Sequence, residues 1–297
     1  MNKGVGYALA AYIFWGFLPI YWKFLNHVPA QEILMHRIAW SFVFLLLVLS
    51  YKRYWSWLSA LKDWRVLLTF LASSLLLTVN WGLYIWAVNA GYIVEASLGY
   101  FINPLVNVVL GLLFLRERLR RGQWLAVAFA VVGVGYLTIT YGALPWISLT
   151  LAFSFGTYGL LRKTAKLDAL AGLSLETALL FLPAAGYLIW LQVNKTAVFL
   201  HTDPISNVLL IFTGVVTAVP LLWFALGARQ VPLTTMGVLQ YAAPTLQFLI
   251  GVFLYHEPFT HDRLIGFSFI WVALAIYSLE MVINGRRRRR LRLSIGD

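Results

Sequence analysis

Hydrophobic positions fill long runs that are apolar on every side, and polar residues gather in the short gaps between them. A helix crossing a bilayer needs about 20 mostly apolar residues. By that measure the pattern predicts helices near 4–24, 33–51, 66–88, 93–115, 122–140, 144–163, 171–193, 206–227, 231–255 and 261–283. Strands of a membrane barrel would instead alternate in polarity over about ten residues, which these runs do not. Few polar residues sit inside the runs, and those few recur. The stretch 95–117, EASLGYFINPLVNVVLGLLFLRE, returns as 235–257, TMGVLQYAAPTLQFLIGVFLYHE. An offset of 140 pairs Pro104 with Pro244, Tyr100 with Gln240, Asn107 with Gln247, Gly111 with Gly251 and Glu117 with Glu257. It also pairs Gly16 with Gly156 and Lys23 with Lys163. The chain therefore reads as one five-helix unit written twice, over 1–141 and 142–283, with a basic tail at 284–297.

Composition agrees. A 297-residue chain that is 61% hydrophobic and 11% charged belongs in a membrane. Its formal charge of +12 would suggest nucleic acid in a soluble protein, but here the basic residues fill the gaps between runs and orient helices. With the N-terminus inside, only Lys23, Lys195 and Arg263 of the 23 Lys and Arg fall outside. Arg37 lies within a helix, which leaves nineteen on the inner side. Both termini are thus expected in the cytoplasm. The arginines at 286–290 and 292 are expected to anchor the tail on anionic lipids, with no nucleic acid as partner. The run 4–24 is too long for a signal-peptide core and is expected to stay as a spanning helix. Five helices per unit is an odd number, so the second unit enters the membrane from the opposite side. Two inverted units can exchange conformations, which is the basis of alternating access.

Catalytic chemistry finds no footing. His256 and His261 bracket a glutamate as in a zinc helix, but a five-residue step turns them about 140° apart and Pro258 interrupts the helix. Zero cysteines exclude disulfides and thiolate metal sites. The expectation is an all-α membrane protein that is no enzyme and holds no metal or cofactor.

Polar residues at membrane depth say more. Tyr100, Asn103 and Asn107 fall within about 60° of one another on the fourth helix. Gln240 and Gln247 share a face of the ninth, and Asn80 and Tyr84 form a stripe on the third. Pro104 and Pro244 would each break a helix beside these amides and free a carbonyl that protein or water must satisfy. With the deep aromatics Trp15, Trp81 and Tyr241, these residues are candidates to line a substrate cavity. The alternative is that the amides hold helices together. A charge at the bilayer centre costs about 2.5–3.5 kcal/mol or more, so His36, Arg37, Glu95 and Glu176 are candidates for ion coupling. His36 and Glu176 are mates at the 140-residue offset, near opposite mouths. No cluster of Asp, Ser and Thr converges as a sodium site would require, so protons are the expected driving ion. Because Arg37 would oppose protonation of His36, Glu176 is the expected carrier. Lys23 is read as snorkelling to the outer surface.

At this point a resemblance becomes specific. Two five-helix repeats with Pro followed thirteen residues later by Glu resemble the EamA units of the drug/metabolite transporter superfamily. The runs FWGFLPIYWK (14–23), VPAQEILMHRIAWS (28–41), NWGLYIWAVN (80–89), EASLGYFINPLVN (95–107) and FIWVALAIY (269–277) extend it over nearly the whole chain. The resemblance implies a bacterial inner-membrane permease of ten helices with both termini inside, working in export; it does not name the cargo. Amides and aromatics favour a small amphipathic, neutral or zwitterionic metabolite or drug. A nucleotide-sugar or sugar-phosphate exchanger is the alternative, and it would want basic residues deep in the cavity, where only Arg37 and Lys23 are on offer. A membrane scaffold or enzyme would leave the repeat without a purpose. The expected partners are a small-molecule substrate and the lipid bilayer, with the chain as a monomer or homodimer.

Overall fold

The computed structural model describes residues 3–115, 119–228, 230 and 239–293, and every regular element among them is helical. In order these are α1 (Lys3–Phe24), α2 (Ala30–Lys52), a 3-10 segment (Ser56–Lys62), α3 (Trp64–Asn89), α4 (Ile93–Leu115) and α5 (Arg121–Tyr141). The second half has α6 (Trp146–Thr164), α7 (Ala169–Val193), α8 (Pro204–Ala228) and α9 (Ala242–Leu249), which continues as a π-helical turn (Ile250–Leu254). Last comes α10 (His261–Leu293). Eight of them, α1 to α5, α7, α8 and α10, are long and apolar enough to cross a bilayer. The fold is that of an all-helical membrane protein. Glu117, Arg229, residues 231–238 of the predicted ninth helix and the side chains of the arginines at 286–290 and 292 lie outside the described residues.

Local chemistry sets the helix ends. Asp63 opens α3 by accepting from the Arg65 N–H at 3.0 Å, and Asp203 opens α8 by accepting from the Ser206 N–H at 2.9 Å. Each carboxylate satisfies an N–H that the first turn leaves without a helical partner. The two caps are 140 residues apart, as are the first residues of α3 and α8 and those of α5 and α10. Gly91 (φ 83°) and Gly142 (φ 66°) close α3 and α5 in a left-handed conformation that a side chain would strain.

The prolines behave differently from expectation. Helix α4 runs through Pro104 without a break, as α1, α7 and α8 do through Pro19, Pro183 and Pro220. In a bilayer a broken helix would bare several backbone groups, whereas proline removes a single bond. The interruption falls instead at Gln240 and Tyr241, just ahead of α9. Pro244 therefore stands in the first turn of α9, where its missing N–H costs no helical bond.

Packing runs between the halves of the chain. Helix α4 lies on α6 and α9 on α1; α3 lies on α6 and α8 on α1; α2 lies on α8 and α3 on α7. The pairs α2 with α7, α5 with α10 and α4 with α9 meet directly. Exchanging α1–α5 for α6–α10 in order leaves this set unchanged. The match reaches single residues. A β-carbon on Gly16 of α1 would meet Leu246 of α9 at 2.7 Å, and one on Gly156 of α6 would meet Val106 of α4 at 2.9 Å. Leu246 and Val106 are themselves 140 residues apart.

Candidate functional site

Three of the predicted amides are held by neighbouring helices. Asn80 of α3 donates to the Leu151 carbonyl and the Ser154 hydroxyl of α6, both at 3.0 Å, and accepts from the Tyr100 hydroxyl at 3.3 Å. Asn103 of α4 donates to the Ala152 carbonyl of α6 at 3.1 Å and accepts from Asn107 at 3.1 Å. Gln247 of α9 donates to the Trp15 carbonyl of α1 at 3.1 Å. That carbonyl lacks a helical donor because the residue four positions on is Pro19. Pro19 thus creates an acceptor that Gln247 satisfies from the other half of the chain. Asn107, the mate of Gln247, stands at the equivalent place beside Gly156 of α6, but exposed.

The two mates should therefore respond differently to substitution. An orphaned buried carbonyl costs about 1–3 kcal/mol. Leucine at 247 also removes an Oε1 that is buried without a partner, which places Gln247→Leu near the lower end, about 1 kcal/mol. Asn107→Leu, at an exposed position, should stay within about 0.5 kcal/mol. Thermal melts of the detergent-purified variants check the order, and a larger loss at Asn107 would contradict it.

Other predicted residues are dispersed. Gln240 and Tyr241 form the turn before α9, and Tyr241 packs on the apolar core between α4, α5 and α10. Trp15 stands against Tyr12 and Phe224, while Tyr84 lies edge-on to Tyr100 at 5.6 Å. Glu95 is half-buried in the first turn of α4. Lys23 does more than reach outward: its Nζ lies 5.3 Å from the Tyr255 ring centre and 3.5 Å from the Asn89 carbonyl at the end of α3.

Two guanidinium groups lie inside the bundle. Arg37 of α2 is 4% exposed; its Nε donates to the Thr217 hydroxyl of α8 at 2.8 Å. Its Cζ lies 3.9 Å from the Trp81 ring centre and 5.3 Å from that of Trp22. Arg162 of α6 stacks on Phe70 at 5.1 Å and places Nη1 3.8 Å from Glu176 of α7. Glu176 in turn accepts from the Ser73 hydroxyl at 2.6 Å and from the Tyr158 hydroxyl at 3.4 Å. In the sequence Arg162 counts as a charge in a cytoplasmic gap, yet the fold turns it back into the bundle. Gly172 makes room, since a β-carbon there would lie 1.8 Å from Nη1. His36 is built otherwise from its mate Glu176. Its Nδ1 accepts from the Trp40 indole at 3.2 Å, which assigns the ring proton to Nε2, 4.0 Å from Glu32.

Two carboxylates outside the candidate site residues clamp the bundle end where α1 finishes. Glu32 accepts from the Val198 and Phe199 N–H groups, both at 2.9 Å, and Glu257 from those of Ile93 and Val94 at 2.7 and 2.8 Å. Burial pushes the Glu257 carboxyl up, against the pull of those N–H groups and of Lys23 and Arg263. The repeat flags Glu257, but its partners lie more than 160 residues away. At the opposite end Lys166 meets Asp63 at 2.7 Å, and the Tyr54 hydroxyl donates to Asp168 at 2.5 Å. The Lys166 hydrogen bond holds the Asp63 carboxyl below its ordinary range.

Known proteins match this architecture. A family model described as the EamA-like transporter family matches residues 2–139. A protein named RarD from Streptomyces exfoliatus is 48% identical over 290 residues, which are 97% of this chain and 92% of that protein. An uncharacterized transporter of Bacillus subtilis, YojE, is 46% identical over 95% of each chain. A solved crystal structure superposes with a TM-score of 0.61 at 18% identity, over 94% of this chain and 99% of its own, which is a likeness of fold. With the described helices packed across two halves and full-length relatives of this closeness, the chain belongs to the EamA-like transporter family, in the group that includes RarD, and is a membrane transporter rather than an enzyme.

Proposed function

We propose that the chain is a proton-driven secondary transporter of the bacterial inner membrane that exports a small amphipathic solute by alternating access. The observation that carries this reading is the exchange symmetry of the main helix pairs, which map onto one another when the described helices of residues 1–141 and 142–283 are exchanged. Units of odd helix number and opposite orientation can each adopt the other's conformation, which moves an opening from one side to the other. Latches at both ends fit that cycle. Glu32 and Glu257 hold the periplasmic end, and Asp63–Lys166 with Tyr54–Asp168 holds the cytoplasmic end. Glu176 is the proton carrier. Its charge holds Arg162 of α6 to α7, and protonation releases that hold.

A sugar-phosphate-type exchanger is the second reading, and Arg37 favours it. Seven residues into α2, Arg37 lies about 10 Å along the helix axis. Lys23 is engaged at the bundle end, however, and Arg162 is held by Glu176. That leaves Arg37 as the one deep cation without a carboxylate among the described residues, where a polyanion needs several. Topology provides the first test. Reporter fusions after Arg121 and Arg292 should report cytoplasm, and fusions after Gly91 and Gly142 periplasm; one on the wrong side breaks the inverted-repeat reading. Uptake of a solute panel by proteoliposomes under an imposed pH gradient tests the activity. Absence of gradient-dependent movement for every solute would count against proton-driven transport.

A further inference from the structure

We infer that Arg37 anchors a carboxylate of the transported solute, which makes that solute a small amphipathic acid or a zwitterion with one carboxylate. That the solute is transported rests on the function proposed above; the carboxylate rests on the site itself. Arg37 and Arg162 present a contrast. Arg162 has Glu176 at 3.8 Å. Arg37, more deeply buried, has no carboxylate within ion-pair distance among the described residues; its Nε bonds Thr217, and its Nη1 has no partner. A buried unpaired charge is the most costly polar arrangement a protein interior can hold. The faces of Trp81 and Trp22 recover only a fraction of the lost hydration.

The neighbouring polar atoms can donate as well, the tyrosine hydroxyls among them also being able to accept. Among the described residues the Trp22 indole N–H and the Tyr84 hydroxyl are buried without a partner. The hydroxyls of Tyr100, Tyr84 and Tyr21 lie within electrostatic reach of the guanidinium, that of Tyr21 donating to the Leu209 carbonyl. Tyr100 already donates to Asn80. Arg37 Nη1 and the Trp22 indole can only donate, so what completes them is an acceptor, and one with negative charge completes the guanidinium. A planar carboxylate offers two oxygens to the guanidinium fork. One cation matches one carboxylate and no more. The rings of Trp81, Trp22 and Tyr84 supply apolar walls for the rest of the solute. The site also spans both halves of the chain, because Thr217 of α8 aims the side chain of Arg37 of α2. A solute held there touches both moving units.

Phenylacetate and phenylacetamide share a shape and differ in charge, so the pair isolates the carboxylate. Both are titrated into the purified full chain in detergent, with melting temperature and tryptophan fluorescence as readouts. The wild type is expected to bind the acid more tightly than the amide, on the order of tenfold, the scale of a hydrogen bond to a charged group. Arg37→Met and Arg37→Gln should bring the two to equality, and Arg37→Lys should keep part of the preference. Without ligand, Arg37→Met should melt at or above wild type, because it removes an unpaired buried charge. Thr217→Val keeps the charge but loosens its aim, and should weaken acid binding a few fold while leaving the amide alone; it also serves if the Arg37 variants fail to fold. A wild type that shows no preference for the acid over the amide, in this pair and in the indole-3-acetate and 3-phenylpropionate pairs, overturns the inference. So does a preference that survives Arg37→Met, or a lowered melting point in that variant with ligand selectivity unchanged. Binding is read apart from transport. Selectivity without movement across proteoliposomes would defeat the transport reading alone, and transport of neutral solutes without selectivity would defeat the carboxylate site alone.

Discussion

Gly214→Ala is expected to leave almost no folded protein in the membrane. At this residue α8 crosses α2 backbone against backbone. A β-carbon would stand 2.3 Å from the Trp40 carbonyl oxygen, 2.4 Å from its carbon and 2.8 Å from the Ser41 nitrogen. These are main-chain atoms inside a helix, so no side chain can swing aside. Overpacking a core costs about 1–3 kcal/mol when neighbours adjust. Here a whole helix must shift, and the Arg37–Thr217 bond, three residues away on each helix, shifts with it. The loss should exceed about 3 kcal/mol, because lipid tails give separated helices no hydrophobic reason to return and close packing is what holds them. Gly186→Ala is the matched control on α7, where nothing lies within 4 Å of the added carbon. It should gain up to about 1 kcal/mol from helix propensity. Size-exclusion profiles of detergent extracts distinguish the two. A monodisperse Gly214→Ala protein at wild-type yield would contradict the crossing.

Glu176→Gln should abolish accumulation driven by a pH gradient and spare downhill exchange of the same solute. Glutamine has nearly the same shape and can still accept from Ser73, but it neither carries the proton nor compensates Arg162. The side chain of Arg162 is 16% exposed, so its guanidinium can turn toward water when the partner charge is lost. The double variant Arg162→Met with Glu176→Gln removes both charges and separates a folding defect from a coupling defect. In proteoliposomes, counterflow without a gradient reports exchange, and uptake with an imposed gradient reports coupling. If the single variant accumulates solute as well as wild type does, Glu176 has no part in coupling and serves only to hold α6 to α7.

Much of the architecture was legible along the chain. Most helix limits follow from apolar run length, because a bilayer demands it locally. The exceptions are the ninth helix, of which 242–254 are described in place of 231–255, and the end of the tenth, at Leu293 in place of 283. The 140-residue offset was legible too, and the Asp63 and Asp203 caps and the Gly16 and Gly156 contacts fall on it. Burial of Asn80, Asn103, Gln247, Arg37 and Glu176 could be anticipated from polar residues set within apolar runs. The break expected at Pro104 could not be judged the same way. Whether a proline ends a helix depends on the environment of the carbonyl it frees, and α4 is enclosed by other helices.

What the sequence determined by itself is one-dimensional: spans, gaps, the repeat, and which polar residues sit at depth. These depend on each residue's own cost of leaving water and on spacing along one helix. Which group meets which was decided by the tertiary structure. Gln247 meets the carbonyl freed by Pro19 across 232 positions, and Glu32 meets Val198 across 166. Arg162 folds back to Glu176 only because Gly172 leaves space beside it. Among the described residues, two arginines of one bundle therefore end in opposite circumstances, Arg162 beside a carboxylate and Arg37 without one. The physical reason is that hydropathy is a property of single residues, while pairing depends on the distance and angle between helices. Those are set by side-chain packing along the whole length of both.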